Sequence, residues 1–211
     1  MFEQRKEFEG KIWKVCFDGT LMAVCEKTSI ATNYYLINTE DLTTLGTLIN
    51  PQFDGMSELS RLKDSILFFY LYPDMTDPSD FKIIQLDMEQ NVTELTELPL
   101  EDINAKIPER YLETDQYFAD VAGFLENKIG RSPVRALDYM EIENSILISY
   151  YLYEGQLLSL NFSIFNKKGN LVFDTVLERN LQAIGTESFT FNGDGVYFVR
   201  DGSVLCKLKA S

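Results

Sequence analysis

The residues best suited to chemistry in this chain are carboxylates. Tyr72-Pro73-Asp74-Met75-Thr76-Asp77-Pro78-Ser79-Asp80 is its most acidic loop, and oxygen-rich loops suit Ca²⁺. The spacing of Asp74, Asp77 and Asp80 is not that of a helix–loop–helix calcium site, and the glycine such a loop needs is absent. A solvated turn, with Pro and Asp fixing the backbone, accounts for the same residues. Paired carboxylates could also run glycoside hydrolysis. Candidates are Asp138, Glu141 and Glu143, and also Glu94 with Glu97. On a strand, Glu94 and Glu97 point to opposite faces. Asp138 shares a face with neither Glu141 nor Glu143, whereas those two share one. With 33 acidic residues in the chain, such pairs also arise by chance.

Other chemistries are excluded by residue type. The chain has no histidine, so it has no Ser-His-Asp or Cys-His nucleophile and no imidazole ligand or proton switch. Walker, GxGxxG, CxxC and GxSxG patterns are absent. Cys16, Cys25 and Cys206 each lie inside an apolar run, as small buried hydrophobes do. The 11 Tyr and 15 Phe could stack on sugars or peptides, but most such residues belong to cores. No cofactor or metal is expected.

A net charge of −14 over 211 residues argues against nucleic acid and against anionic membrane surfaces, which both need clustered Lys and Arg. The first residues, Met1 to Glu7, are charged and lack the apolar stretch of a signal peptide. No run reaches the ~18 apolar residues of a membrane span. The expected location is the cytoplasm.

The elements that must carry these residues read as strands. Short runs of Phe, Tyr, Ile, Leu and Val are divided by turn signals, as half-buried strands require. Asp18-Gly19 and Asp201-Gly202 predict tight hairpins. A repeat is visible: Asp64-Ser65-Ile66-Leu67-Phe68-Phe69-Tyr70 resembles Asn144-Ser145-Ile146-Leu147-Ile148-Ser149-Tyr150, and related stretches begin at Asp18 and Asp194. With one strand before each of these turns, a unit has four strands, a sign of propeller blades. The expected fold is all-β, within residues 1–211 as one β-repeat domain. It is a small propeller-like ring of four blades, or five if the excess segment is itself a blade; the alternative is an antiparallel sandwich or barrel. The excess lies at about 99–132. There, Tyr117, Phe118, Val121, Phe124 and Leu125 predict one helix, with Thr114 or Asp115 as N-cap and Gly130 past its end. The last unit stops one strand short, and residues 2–8 could supply it.

This order of motifs resembles a family of uncharacterised bacterial proteins with propeller-like repeats, a domain of unknown function. The residues that carry the likeness include Ile12-Trp13-Lys14-Val15, Tyr72-Pro73, Tyr117-Phe118, Pro133-Val134, Leu137-Asp138-Tyr139, Ser149-Tyr150-Tyr151 and Thr186-Glu187-Ser188-Phe189. The resemblance implies a fold and no activity.

In an up-and-down unit, connections alternate between two ends. One end has tight turns; the other has most of the long loops, where binding residues usually lie. The expected function is a non-enzymatic interaction module. Its long-loop face, with Phe53, Asp54, Tyr72, Asp74, Asp77 and Asp80, would bind a protein or peptide partner bearing basic or apolar groups. The rival expectation is a carboxylate-dependent hydrolase or lyase acting in a central cleft. Carboxylates converging with raised pKa would favour the enzyme. Exposed apolar side chains on the loop face would favour the module.

Overall fold

The computed structural model describes residues 3–53, 55–74, 76–99, 105–185, 188–193 and 195–209. It is all-β with a single helix among these residues. In chain order the elements are β1 (Glu3–Glu7), β2 (Lys11–Asp18), β3 (Leu21–Lys27), β4 (Thr32–Asn38), β5 (Thr44–Ile49), β6 (Met56–Lys63), β7 (Ile66–Tyr72), β8 (Lys82–Leu86) and β9 (Val92–Leu95). They continue with β10 (Ala105–Lys106), β11 (Glu109–Leu112), α1 (Gln116–Ile129), β12 (Val134–Ile142), β13 (Ser145–Glu154), β14 (Leu157–Asn166) and β15 (Leu171–Leu181). The last three are β16 (Phe189–Asn192), β17 (Gly195–Arg200) and β18 (Val204–Lys209). The helix is too short to cross a membrane. The chain divides into two compact units, Gln4–Ala105 and Lys106–Ser211 with Met1–Glu3.

The first unit holds two four-stranded meanders, β2-β3-β4-β5 and β6-β7-β8-β9. Their inner faces share one core, built from Ala23, Cys25, Tyr34 and Leu36 of the first sheet and Leu67, Phe69, Leu71 and Ile84 of the second. Alternation dictates this. On β7, Leu67, Phe69 and Leu71 point into the core, which sends Tyr70 and Tyr72 to the other face. Tyr34 and Phe69 meet edge to face at 5.1 Å across the sheets.

The Asp18-Gly19 hairpin forms as a tight turn between β2 and β3. Asp18 pairs with Leu21 and Phe17 with Met22, so the loop is Gly19-Thr20, and Gly19 supplies the positive φ of 55°. The Asp18 carboxylate is thereby free to accept the Asp64 backbone N–H at 2.7 Å, tying one sheet's hairpin to the other's. Cys16 then faces Ala23 and Cys25 faces Lys14, so the two thiols are not cross-strand partners.

In the second unit, β11-β12-β13-β14-β15 form one sheet. A further sheet has the order β1-β18-β17-β16-β10; its β16, β17 and β18 belong to the second unit, while β1 beyond Glu3 is counted with the first. The expected strand from residues 2–8 is thus realised as β1 beside β18, with Glu3 paired to Arg200 at 3.1 Å; Phe2 lies outside the described residues. Phe162, Phe189 and Phe198 lie at the centre of the core between the two sheets.

The 99–132 segment does not make a fifth blade. It lends β11 to the edge of β12 and β10 to the edge of β16, and its helix packs on the β11–β15 sheet through Phe118 and Leu125. The helix limits match expectation, with Asp115 as N-cap and Gly130 left-handed at φ 66°. Tyr117, however, is 58% exposed. The buried stripe is centred on Phe118, Val121 and Leu125, and Tyr117 lies off it, beside Tyr111. β13 also runs past Tyr150 to Glu154 and closes in a tight turn at Gly155, φ 69°.

Candidate functional site

In the first unit the β3–β4, β5–β6 and β7–β8 connections leave at one end, through residues 28–31, 50–55 and 73–81. Of the seven exposed large apolar side chains described in this unit, five lie at this end: Trp13, Ile30, Ile49, Met56 and Phe81. Each is placed there by its backbone. Thr28 holds a tight turn, its Oγ1 accepting the Ile30 and Ala31 N–H groups, and Ile30 at the tip is 88% exposed. Trp13 sits in a β-bulge, where the register shifts between Ile12 and Lys14. A bulge re-aims a side chain, and the indole points outward, 65% exposed, with the Lys27 ammonium 4.1 Å over its ring.

On the second sheet the outward aromatics form a shelf. Tyr70 and Tyr72 share one face of β7, and Met56 pairs across from Tyr72. Phe81 meets Tyr70 edge to face at 5.1 Å and lies 6.2 Å from Tyr72. Tyr72 and Phe81 flank the 73–80 loop, so the ring contact draws its two ends together.

Inside that loop, Asp74 Oδ1 accepts Thr76 N–H and Oγ1–H at 2.8 and 2.7 Å. Asp77 Oδ1 accepts Ser79 N–H and Oγ–H at 3.0 and 2.6 Å. These bonds hold both carboxyl groups below the usual aspartate range. Both are exposed, and so is Asp80. No group of three or more potential ligands that could hold a metal occurs among the described residues. The acidic loop is a pair of consecutive Asx turns.

The other expected site residues fall differently. Phe53 is partly buried on the core, its ring 5.3 Å from Phe69, so it packs rather than presents. Asp54 lies outside the described residues. The 50–55 and 73–81 loops do meet: a Cβ on Gly55 would lie 2.4 Å from the Tyr72 carbonyl oxygen.

The candidate catalytic carboxylates do not converge. Asp138 is 1% exposed and is gripped by Arg110 through Nε at 2.6 Å and Nη2 at 2.9 Å, with Ser149 and Ser188 also donating to it. Arg110 reaches on to the Gly185 carbonyl. Glu141 is exposed, takes the Lys167 ammonium and accepts Tyr139 Oη–H. Glu143 lies in the turn after β12, and Glu97 lies beyond β9. Glu94 pairs with Lys82 at 2.9 Å. Among the described residues, hydrogen bonds hold Glu26, Asp74, Asp77, Asp87, Glu141 and Glu154 below the ordinary carboxyl range, the reverse of what a general acid needs.

Sequence reasoning missed Glu26, which is 1% exposed. It accepts Gly10 N–H at 2.7 Å, Asn33 Nδ2–H at 3.0 Å and Tyr35 Oη–H at 2.8 Å. Burial raises its pKa, but these hydrogen bonds outweigh that and hold it below the ordinary value. An acid directly after the apolar run Leu21-Met22-Ala23-Val24-Cys25, still on the same strand, was the available signal. The same sheet buries Cys16 and Cys25, whose thiols burial pushes up to about 12 and about 11, which makes them inert.

No protein-family model matches the chain, and no curated protein matches it.

Proposed function

We propose that the protein is a non-enzymatic interaction module that docks a protein or peptide partner at the loop end of its first unit. One observation carries this reading: the exposed Trp13, Ile30, Ile49, Met56 and Phe81 gather where the long loops leave. Rigid sheets with apolar groups on their connecting loops suit recognition. The downward carboxylate shifts favour this over the hydrolase or lyase reading. Four similar antiparallel sheets, four- or five-stranded, also support reading the fold as a propeller-like ring.

Site-specific photo-crosslinking tests the module. A crosslinker at Ile30 is expected to trap a discrete partner in cells, and Phe81→Ser to reduce the yield. The same crosslinker at Lys168, exposed on a tight turn of the second unit, should trap none. Equal adducts from both positions would end this reading.

A further inference from the structure

The docking reading leaves the partner's chemistry open, and the shelf on the β6–β9 sheet narrows it. Its apolar part is the exposed Phe81 with the outward Tyr70, Tyr72 and Met56. Its rim is acidic. Asp74 follows Tyr72 by two residues, Asp80 directly precedes Phe81, and Glu58 stands opposite Tyr70 on β6.

The carboxylates of Asp74 and Asp77 form no ion pair among the described residues. Each uses Oδ1 for its turn and has Oδ2 left for a partner. The nearest lysine in sequence, Lys82, has its ammonium on Glu94. Lys11, Lys14 and Lys27 belong to the other sheet, on β2 and β3, and Lys27 is already over Trp13. The shelf thus combines open aromatic rings with carboxylates that lack a cation.

Resting on the docking reading, we infer that this shelf receives a basic side chain from an extended partner segment. The cation lies over the Phe81–Tyr72 rings, with Asp74 and Asp77 as counter-charges. An aromatic face attracts a cation through its quadrupole, and guanidinium adds flat stacking to that attraction. Charge complementarity selects the occupant. A second copy of this chain brings another −14 and the same acidic loop, so self-association here is opposed. Nucleic acid is repelled for the same reason.

The test uses the full chain and three capped peptides that share one leucine-containing frame and carry two arginines, two lysines or two citrullines. Fluorescence anisotropy reads the affinity at low and at physiological salt. The arginine and lysine peptides should bind, and the citrulline peptide should bind about tenfold or more weakly. Phe81→Ala should weaken the arginine peptide about fivefold or more. So should the pair Asp74→Asn and Asp77→Asn, in which the side-chain oxygen that holds each turn is kept. Glu113→Gln with Asp120→Asn removes two exposed charges on and beside the helix of the second unit, and should leave the affinity unchanged.

If citrulline binds as well as arginine and Phe81→Ala still abolishes binding, the cation inference fails and the docking reading stands. If neither Phe81→Ala nor the Asp pair matters while salt removes all binding, the attraction is diffuse and both fail at this shelf. If no peptide binds at millimolar concentration, the cation inference is overturned.

Discussion

Glu26 shows what one buried charge does in this fold. Its carboxylate has donors on the Gly10 backbone and on the Asn33 and Tyr35 side chains. A buried charge without water depends on such bonds. Because its pKa in the folded state lies below the ordinary 4.5, it stabilises the fold above that value. The contribution is lost as pH falls through the folded pKa. In Glu26→Gln the amide must place an N–H₂ where a donor already points, leaving a buried donor unsatisfied. The expected cost is about 1–3 kcal/mol at pH 7. Urea midpoints check it: the gap between wild type and variant should be wide at pH 7 and narrower at an acid pH where the folded carboxyl is protonated. Equal gaps at both pH values would remove the carboxylate from the account. Asp138 illustrates the complementary solution, a buried carboxylate that takes a bidentate arginine. The partners of both residues are unmarked in sequence, because each is satisfied by donors 7 to 50 positions away.

At the scale of elements, the loop end depends on one close backbone contact. Gly55 has φ 138°, and any Cβ there would sit 2.4 Å from the Tyr72 carbonyl oxygen and 3.1 Å from Pro73 Cα. Those neighbours are backbone and cannot rotate away. Gly55→Ala should therefore separate the 50–55 loop from the 73–81 loop, cost about 2 kcal/mol or more, and weaken partner crosslinking from Ile30. An unchanged melting temperature would show that the two loops move independently.

The same end shows how far sequence reasoning reaches. Alternating runs and Asp-Gly turns locate strands in each unit, because strand period and turn chemistry are local. The helix limits at Asp115 and Gly130 are local in the same way. Tyr72, read as the start of the acidic loop, is the last residue of β7, and the loop follows it. Trp13, Ile30 and Phe81 were missed as site residues. Trp13 is turned outward by a bulge, and bulges leave no mark in the apolar pattern. Phe81 reads as the first residue of a strand, yet it precedes β8 and turns onto Tyr70. Phe53 erred in the opposite direction, since a loop aromatic can fold back on the core it caps. The short β11 went unseen because Glu109-Arg110-Tyr111-Leu112 carries too few apolar residues to signal a strand, and its pairing comes from β12.

At the scale of the whole molecule, the first strand is tied to the last. β1 lies beside β18 at one side of its sheet, and Glu3 pairs with Arg200 at 3.1 Å. β18 carries Leu205, Cys206 and Leu208, all buried. Removing residues 1–9 would turn β18 into an open edge with a row of unpaired backbone donors and acceptors, a template for pairing with another chain. A ladder of this length contributes about 2–4 kcal/mol net, since each hydrogen bond is worth about 1 kcal/mol against water. For a chain of this size that corresponds to a fall in melting temperature of about 4–16 °C. The high negative charge opposes aggregation of the truncated chain at low salt, and screening relieves that opposition. The deletion variant should therefore melt lower at every salt concentration, but self-associate mainly when salt is added. Thermal melts and size-exclusion chromatography at low and high salt separate the two effects. A truncated chain that keeps its melting temperature and stays monomeric in high salt would show that β1 does not hold this edge closed.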